Sequence, residues 1–219
     1  MSSYIVHSTP GSPFGRAVLI ALEEKRLPYR LAPVAPSAFK SEPHLGRHAF
    51  GRVPVLEDQG FLLYETQAIL RYLDRVATAP ALTPADPRRA ARMDQVMNIN
   101  DWYLFQGVNT VIGFNRVIKP RLLGLPCDEA AIAAAMSKAR QVFDELARLL
   151  GEAPFFAGDA LSLADVLVAP QLDFFRDLPE WPLLTPNHAN LAAWLERMQA
   201  RPSLQATTWE RVADMAQAA

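Results

Sequence analysis

The sequence predicts a small α/β domain followed by an all-helical domain. Strand and helix patterns alternate in the first third of the chain, whereas helical periodicity dominates the rest. Between them, the stretch Ala77–Arg89 contains three prolines and little periodicity, which is typical of a linker. We therefore expect one domain over residues 1–78, a linker over residues 79–87 and a helical domain over residues 88–219.

The first domain shows the element order β-α-β-(α)-β-β-α. Short apolar runs and the turn residues Asp58-Gln59-Gly60 indicate strands and a hairpin, and apolar spacing of three and four residues indicates helices. A βαβ unit followed by a hairpin and a helix implies a small mixed sheet covered by helices. The predicted strands are 4–7, 29–34, 53–57 and 61–64, and the predicted helices are 13–25, 37–47 (weak) and 65–76.

The second domain is predicted to contain only helices, over residues 88–118, 128–150, 189–200 and 204–216, with another beginning at Ser162. In the sequence Ser162-Leu-Ala-Asp165, the serine can cap backbone N–H groups and the aspartate can reach back to the cap residue. This spacing is that of a capping box, so a core helix should begin there.

Composition excludes several classes of function. The formal net charge of the 219 residues is −1, which gives no general attraction to nucleic acid or to an anionic membrane. The single cysteine, Cys127, excludes an intramolecular disulfide and a multi-cysteine metal site. His44 and His48 are spaced i,i+4, but we expect them to be surface residues and expect no metal. Without a signal peptide pattern or a membrane-length apolar run, the simplest expectation is a cytoplasmic protein.

A serine at the start of the first helix is the first candidate for chemistry. Ser12 follows a turn that contains Pro10 and Gly11 and precedes the helical pattern. The residue has two interpretations: it caps the helix, or its hydroxyl serves a reaction. Thr9 is a competing hydroxyl in the same loop, and it lies farther from the helix start.

Two further pairs could contact a ligand. Val53-Pro54 stands where a strand begins; a cis bond would turn the Val53 backbone towards a peptide-like ligand, whereas an ordinary trans proline is the alternative. Glu65 and Thr66 stand at a helix start. There, unpaired N–H groups and a hydroxyl can bind a carboxylate while Glu65 binds an ammonium group. The alternative is a plain capped helix start.

Taken together, these segments resemble the cytosolic glutathione S-transferases, in particular the bacterial-type, phi-, tau- and theta-like classes that use a serine. The resemblance covers essentially the whole chain and is carried by four segments in the family's order: SPFGRAVLIALEEKRLPY, FGRVPVLED, LYETQAILRYL and FFAGDALSLADVLVAP. It implies a thioredoxin-like domain joined to an all-helical domain, in a cytoplasmic, homodimeric detoxification enzyme. The co-substrate would be glutathione, with no metal.

The resemblance also implies roles for individual residues. Ser12 would hydrogen-bond the glutathione thiol, the Val53 backbone would pair with the cysteinyl part beside a cis Pro54, and Glu65 with Thr66 would bind the γ-glutamyl end. The residues assigned to glutathione are Ser12, Phe14, Lys40, Arg52, Val53, Pro54, Glu65 and Thr66.

Lys40 matches a lysine that reaches the glycine carboxylate in phi-like members, although Phe39 stands where those members have histidine. A solvated helix-face charge is the alternative for Lys40, and Arg52 is another candidate for the same carboxylate. Phe50 matches the aromatic residue that many members insert into the partner subunit.

An acceptor pocket for a hydrophobic electrophile is expected between the domains. Its predicted lining residues are Trp102, Tyr103, Gln106 and Arg116, with Phe14, Phe114 and Trp209 as further candidates. Core packing is the alternative for each aromatic residue.

The predicted function is conjugation of glutathione to a hydrophobic electrophile. Two alternatives remain: glutathione-dependent reduction of peroxides or disulfides by the same thiolate, and a non-catalytic protein-binding scaffold with this fold. The opening loop contains no cysteine, which argues against the omega- and beta-like members that form mixed disulfides with glutathione.

Overall fold

The computed structural model describes residues 3–219, which form two compact units. The first unit comprises the described residues up to Leu82 together with Ala200–Ala219. The second unit is the continuous segment Thr83–Gln199.

The first unit is built on a four-stranded sheet with the strand order β2-β1-β3-β4. Strand β1 (Tyr4–Ser8) pairs in parallel with β2 (Tyr29–Pro33) and antiparallel with β3 (Val55–Asp58). Strand β4 (Phe61–Tyr64) pairs antiparallel with β3 and forms the sheet edge. The mixed sheet and its hairpin confirm the expected α/β architecture.

Three helices accompany the sheet within the first 82 residues. Helix α1 (Pro13–Glu24) and helix α3 (Thr66–Val76) pack against each other, and α1 buries a continuous run from Gly15 to Leu22. A short 3₁₀ turn and the short helix α2 (Glu42–Leu45) replace the weak helix expected over residues 37–47. Burial of the apolar face of α3 against α1 is the main stabilisation expected for such an amphipathic helix.

The second unit contains helices and no strand among its described residues. The expected helix 88–118 is continuous, but its second part is wound as a π-helix. This winding uses i→i+5 hydrogen bonds. The elements are α4 (Pro87–Ile99), the π-helix (Asn100–Ile118), α5 (Lys119–Leu123), α6 (Glu129–Leu150), α7 (Leu163–Phe175), α8 (Trp181–Leu184) and α9 (Ala189–Gln199). Helix α8 was not anticipated. No helix within residues 3–219 has the length and apolarity needed to cross a bilayer.

The end of the chain packs differently from the expected domain boundaries. The sequence places residues 88–219 in the helical domain, whereas residues 200–219 group with the first unit. They form helix α10 (Pro202–Ala206) and helix α11 (Trp209–Gln217), in place of one helix over 204–216.

Polar contacts with α1 account for this placement. Near its C-terminal end, Glu24 accepts hydrogen bonds from Arg201 at 2.7 Å and from Ser203. In its second turn, the guanidinium of Arg16 lies 4.6 Å from the centre of the Trp209 ring. A cation over an indole face and a partly buried charged pair are both stabilising contacts, so residues 200–219 add a layer to the first unit.

Candidate active site

Ser12 is the N-cap residue of α1. Its backbone is extended, and its Oγ accepts a hydrogen bond from the Gly15 N–H at 3.1 Å. Since this contact uses only a lone pair of the oxygen, the hydroxyl hydrogen can still be donated to a ligand. Thr9 instead directs its hydroxyl to the Pro10 carbonyl oxygen at 3.5 Å. The two interpretations of Ser12 are therefore compatible, because capping consumes the acceptor and leaves the donor.

Val53 and Pro54 lie immediately before β3. Their peptide bond is cis, in agreement with the resemblance. Pro54 is buried and Val53 is half-buried. The backbone N–H and C=O of Val53 take part in none of the hydrogen bonds found between residues 3–219.

The start of α3 has an unusual backbone. Glu65 has φ +71° and ψ +111°, outside the regions that non-glycine residues readily adopt. No side chain caps this helix start, the Glu65 side chain is exposed, and Thr66 is buried as the first helical residue. A helix start without a side-chain cap presents N–H groups that attract an anion.

The register of the sheet brings these three motifs together. His7 near the end of β1 pairs with Val55 at the beginning of β3, and Val55 pairs with Tyr64 at the end of β4. The loop to Ser12, the Val53-Pro54 step and the Glu65-Thr66 step therefore lie at the same end of the strands. Residues that are more than 50 positions apart in sequence, such as Ser12 and Glu65, belong to one side of the first unit.

The remaining predicted glutathione residues are more exposed. The Lys40 Nζ donates to the Phe50 carbonyl oxygen at 2.8 Å, and two of its hydrogens remain for other acceptors. The Arg52 side chain is exposed, and Phe14 is half-buried in the first turn of α1. Phe50, the predicted interface residue, is 63% exposed.

The predicted acceptor residues are located on the π-helix of the second unit. Trp102, Tyr103 and Gln106 are exposed there. Arg116 instead binds carboxylates of its own unit, donating to Glu180 at 2.7 Å and to Glu129. These carboxylates raise the pKa of Arg116, and their hydrogen bonds give its guanidinium a structural role.

Phe114 and Trp209, the further candidates, are placed in different units. Phe114 is an exposed residue of the π-helix, whereas Trp209 begins α11 in the first unit. Trp209 faces the Arg16 guanidinium, which supports the packing interpretation for that residue.

Two histidines expected on the surface are buried, so that expectation was wrong. His44 and His48 are 2% and 3% exposed, and both precede the segment that leads to Val53. The His44 Nε2 lies 2.8 Å from the Arg52 carbonyl oxygen, and the His48 Nδ1 accepts the Phe50 N–H at 3.2 Å. An i,i+4 spacing predicts that both rings face one way, but it does not indicate whether that side is buried.

Burial also changes the titration of two imidazoles. Desolvation lowers the pKa of His7 below its ordinary value of 6.5, although the hydrogen bond with Glu57 opposes the shift. Burial likewise lowers the pKa of His48, while the Glu65 charge opposes it. Among residues 3–219 there is no group of three or more side chains placed to hold a metal ion.

Two family models match the chain. One describes the N-terminal domain of glutathione S-transferases and matches residues 11–76. The other describes the C-terminal domain of the same family and matches residues 129–197. The fold and the site thus define the class of protein: a thioredoxin-like glutathione-binding domain followed by a helical second domain.

Curated relatives and solved structures agree with these matches. A glutathione S-transferase of Hyoscyamus muticus is 31% identical over 202 residues, covering 90% of this chain and 94% of the relative. The glutathione S-transferase hmp2 of Hypomyces subiculosus is 32% identical over 190 residues, covering 84% and 88%. The crystal structure of glutathione transferase F2 from Populus trichocarpa superposes with a TM-score of 0.83 at 26% identity, covering 99% of this chain and 100% of that one.

The chain therefore belongs to the glutathione S-transferase family. It is a glutathione transferase, with glutathione as its co-substrate. Both the predicted family and the predicted fold are confirmed.

Proposed function

We propose that the protein conjugates glutathione to hydrophobic electrophiles and that the Ser12 hydroxyl holds the glutathione thiolate. The observation that carries this proposal is the hydrogen bonding of Ser12. Its oxygen accepts a hydrogen bond from the Gly15 N–H while its own hydrogen remains available. Ser12 lies at the end of the strands where the three motifs converge.

The chemistry requires a preference for the thiolate. A free thiol has a pKa of about 8.5, and each unit of depression corresponds to about 1.4 kcal/mol of preference for the anion. A hydroxyl donor and the N–H groups at a helix start both supply such a preference. The thiol proton is released to solvent. The sulfur then forms a bond with the electrophilic carbon, and the bond to the leaving group breaks with its electron pair.

The remaining contacts follow the parts of the tripeptide. The Val53 backbone pairs with the cysteinyl peptide unit, because its N–H and C=O have no partner among the described residues. Glu65 binds the ammonium of the γ-glutamyl end and Thr66 its carboxylate. Lys40 and Arg52 are the cations for the glycine carboxylate. A solved glutathione S-transferase I with bound lactoylglutathione, at a TM-score of 0.83 and 25% identity to this chain, supports binding of a glutathione-type ligand by this fold.

The electrophile is proposed to bind beside the thiolate. The proposed lining of the electrophile site consists of Phe14 and the exposed Trp102, Tyr103 and Gln106. Arg116 is the least favoured candidate, because its guanidinium is hydrogen-bonded to carboxylates of its own unit. Phe50 is the proposed anchor of a homodimer, since a large exposed aromatic side chain suits an interface. We further propose a cytoplasmic location and a role in detoxification.

Calorimetry with glutathione, combined with ultraviolet absorbance of the bound thiolate across pH, tests the proposal. Wild type should bind, and Ser12→Ala should still bind but with a higher thiol pKa. Ser12→Thr, which keeps the hydroxyl, is the matched control and should stay close to wild type. An unchanged thiol pKa in Ser12→Ala would assign the sulfur to Thr9 or to a backbone N–H.

Turnover assays on the same protein distinguish conjugation from reduction and from a non-catalytic scaffold role. Turnover of an activated aryl chloride with glutathione supports conjugation, whereas turnover of an organic hydroperoxide alone would assign the thiolate to reduction. If wild type does not bind glutathione at millimolar concentration, the site is not used and a protein-binding scaffold becomes the better interpretation.

A further inference from the structure

We propose that His44 is a positioning residue that aims the Val53 N–H at glutathione. This inference rests on the proposed function, since it concerns how the backbone contact with the cysteinyl unit is prepared. We call the segment Phe50–Val53 the strap, because it connects the short helix α2 region to β3.

The first observation is the buried hydrogen bond of His44. The ring is 2% exposed, and its Nε2 lies 2.8 Å from the Arg52 carbonyl oxygen. Because a carbonyl oxygen can only accept, Nε2 must carry the hydrogen. The Arg52 carbonyl is thereby turned towards the buried ring.

The second observation is the geometry of the next peptide unit. Among residues 3–219 the cis bonds are Val53-Pro54 and Ala79-Pro80, so the Arg52–Val53 bond is trans. In a planar trans peptide the C=O and the N–H point in opposite directions. Holding the Arg52 carbonyl towards His44 therefore directs the Val53 N–H away from the ring, and this N–H has no hydrogen-bond partner among the described residues.

The strap is held at its other end as well. The His48 Nδ1 accepts the Phe50 N–H at 3.2 Å, and the Lys40 Nζ donates to the Phe50 carbonyl oxygen at 2.8 Å. His48 also stacks on Tyr64, with ring centres 4.3 Å apart. Tyr64 ends β4 directly before Glu65, so the stacked ring ties the strap to the proposed γ-glutamyl site.

These contacts orient the Val53 N–H before glutathione binds. Without the His44 hydrogen bond, the Arg52–Val53 peptide plane can rotate, and glutathione must order it on binding. Ordering a flexible group reduces affinity without altering the reacting atoms. The predicted effect is therefore on glutathione affinity and not on the thiol pKa, which Ser12 controls.

A pair of variants separates the hydrogen bond from the packing. His44→Phe keeps a ring against Phe39 and His48 but removes the donor, whereas His44→Gln keeps an N–H at a similar reach. For His44→Phe we expect the glutathione Kd and KM to rise roughly five- to tenfold, the worth of one hydrogen bond. Its kcat and its thiol pKa should be unchanged, and His44→Gln should recover most of the affinity.

The chemical shift and the hydrogen exchange of the Val53 amide in the ligand-free protein give a readout that does not depend on glutathione. Both should change in His44→Phe and return towards wild type in His44→Gln. If His44→Phe does not fold, His44→Met supplies a donor-free side chain of similar length to Gln for the same comparison.

Three results would overturn the inference: wild-type affinity in the donor-free variant, equal losses in the donor-free variant and His44→Gln, or a Val53 amide that does not respond. If wild-type protein fails to bind glutathione, the proposed function fails. The amide measurement then still decides whether His44 orients this peptide.

Discussion

Two helix starts of this protein use the same backbone groups in opposite ways. At the start of α7, Ser162 and Asp165 are fully buried, and Asp165 accepts hydrogen bonds from the N–H and hydroxyl of Ser162. It also accepts from the backbone N–H of Phe156 and from the indole of Trp194. At the start of α3, no side chain forms a cap, and Glu65 is exposed in an unfavourable conformation. The closed start stabilises the fold, whereas the open start leaves its N–H groups without a side-chain cap, and we propose that a ligand uses them.

The start of α1 combines both uses. Ser12 caps the helix with its oxygen, and we propose that it donates its hydroxyl hydrogen to the glutathione thiolate. Under this proposal, one capping serine serves both stability and function. Substitutions at the three helix starts should separate these two contributions.

The largest effect is expected from Asp165→Ala. The substitution leaves the N–H groups of Phe156, Ser162 and Trp194 unpaired in the core, and each unpaired buried donor costs about 1–3 kcal/mol. The free energy of unfolding should fall by at least about 3 kcal/mol, as measured by urea denaturation. Asp165→Asn, which retains one acceptor oxygen, should lose less. A loss below about 1 kcal/mol for Asp165→Ala would contradict the closed-cap interpretation.

Ser12→Ala should reduce conjugation strongly and stability only slightly. Loss of the donor to the thiolate should lower kcat/KM at neutral pH roughly a hundredfold, comparable to removing one donor from an oxyanion site. Loss of the N-cap should cost about 0.5–2 kcal/mol. Steady-state kinetics and urea denaturation on the same preparation measure both, and a proportional loss of both would argue that Ser12 acts only as a cap.

Glu65→Gly should weaken glutathione binding without lowering the stability of the fold. Glycine relieves the φ of +71° at this position, and such backbone strain is of order 1–3 kcal/mol. The melting temperature should therefore stay equal or rise, while glutathione binding weakens at least tenfold because the carboxylate for the ammonium group is lost. Glu65→Gln is the matched control: it keeps the strain and removes the charge. A Glu65→Gly variant less stable than Glu65→Gln would show that the backbone is not strained.

The smallest effect concerns pH. His7 and His48 have pKa values lowered by burial from 6.5, so between the lowered values and 6.5 the unfolded chain binds more protons than the folded chain. Stability from these groups is complete above the unfolded pKa and is lost as the pH falls through the folded values. Protonation of His48 also removes the acceptor for the Phe50 N–H.

Urea denaturation at about pH 7.5 and about pH 5.5 measures this dependence. His48→Asn, which does not titrate, should show a smaller loss between the two conditions than wild type does. Equal losses in the two proteins would exclude His48 as a contributor.

The sequence predicted the elements and motifs of local origin. The capping roles of Ser12 and Ser162 follow from residue type and spacing, and the hairpin at Asp58-Gln59-Gly60 follows from turn chemistry. Each depends on groups within a few residues, so a single sequence is sufficient.

Features that depend on distant partners were not predictable. Arg116 meets Glu180, 64 positions away, and the His44 ring is hydrogen-bonded to the Arg52 carbonyl in a loop whose path helical spacing does not specify. Residues 200–219 show a helical pattern, but periodicity does not specify which unit receives the apolar face. Which of several possible surfaces a helix packs on is decided by the contacts of the whole fold.

Helices α10 and α11 give the first unit an unusual relation to protein synthesis. The sheet and α1 are translated early, yet the residues that contact Arg16 and Glu24 are synthesised more than 100 positions later. A nascent chain contains all four strands once β4 has emerged, but this unit is completed only after residues 200–219 have been synthesised. Residues 1–82 expressed alone would therefore lack the layer that residues 200–219 supply.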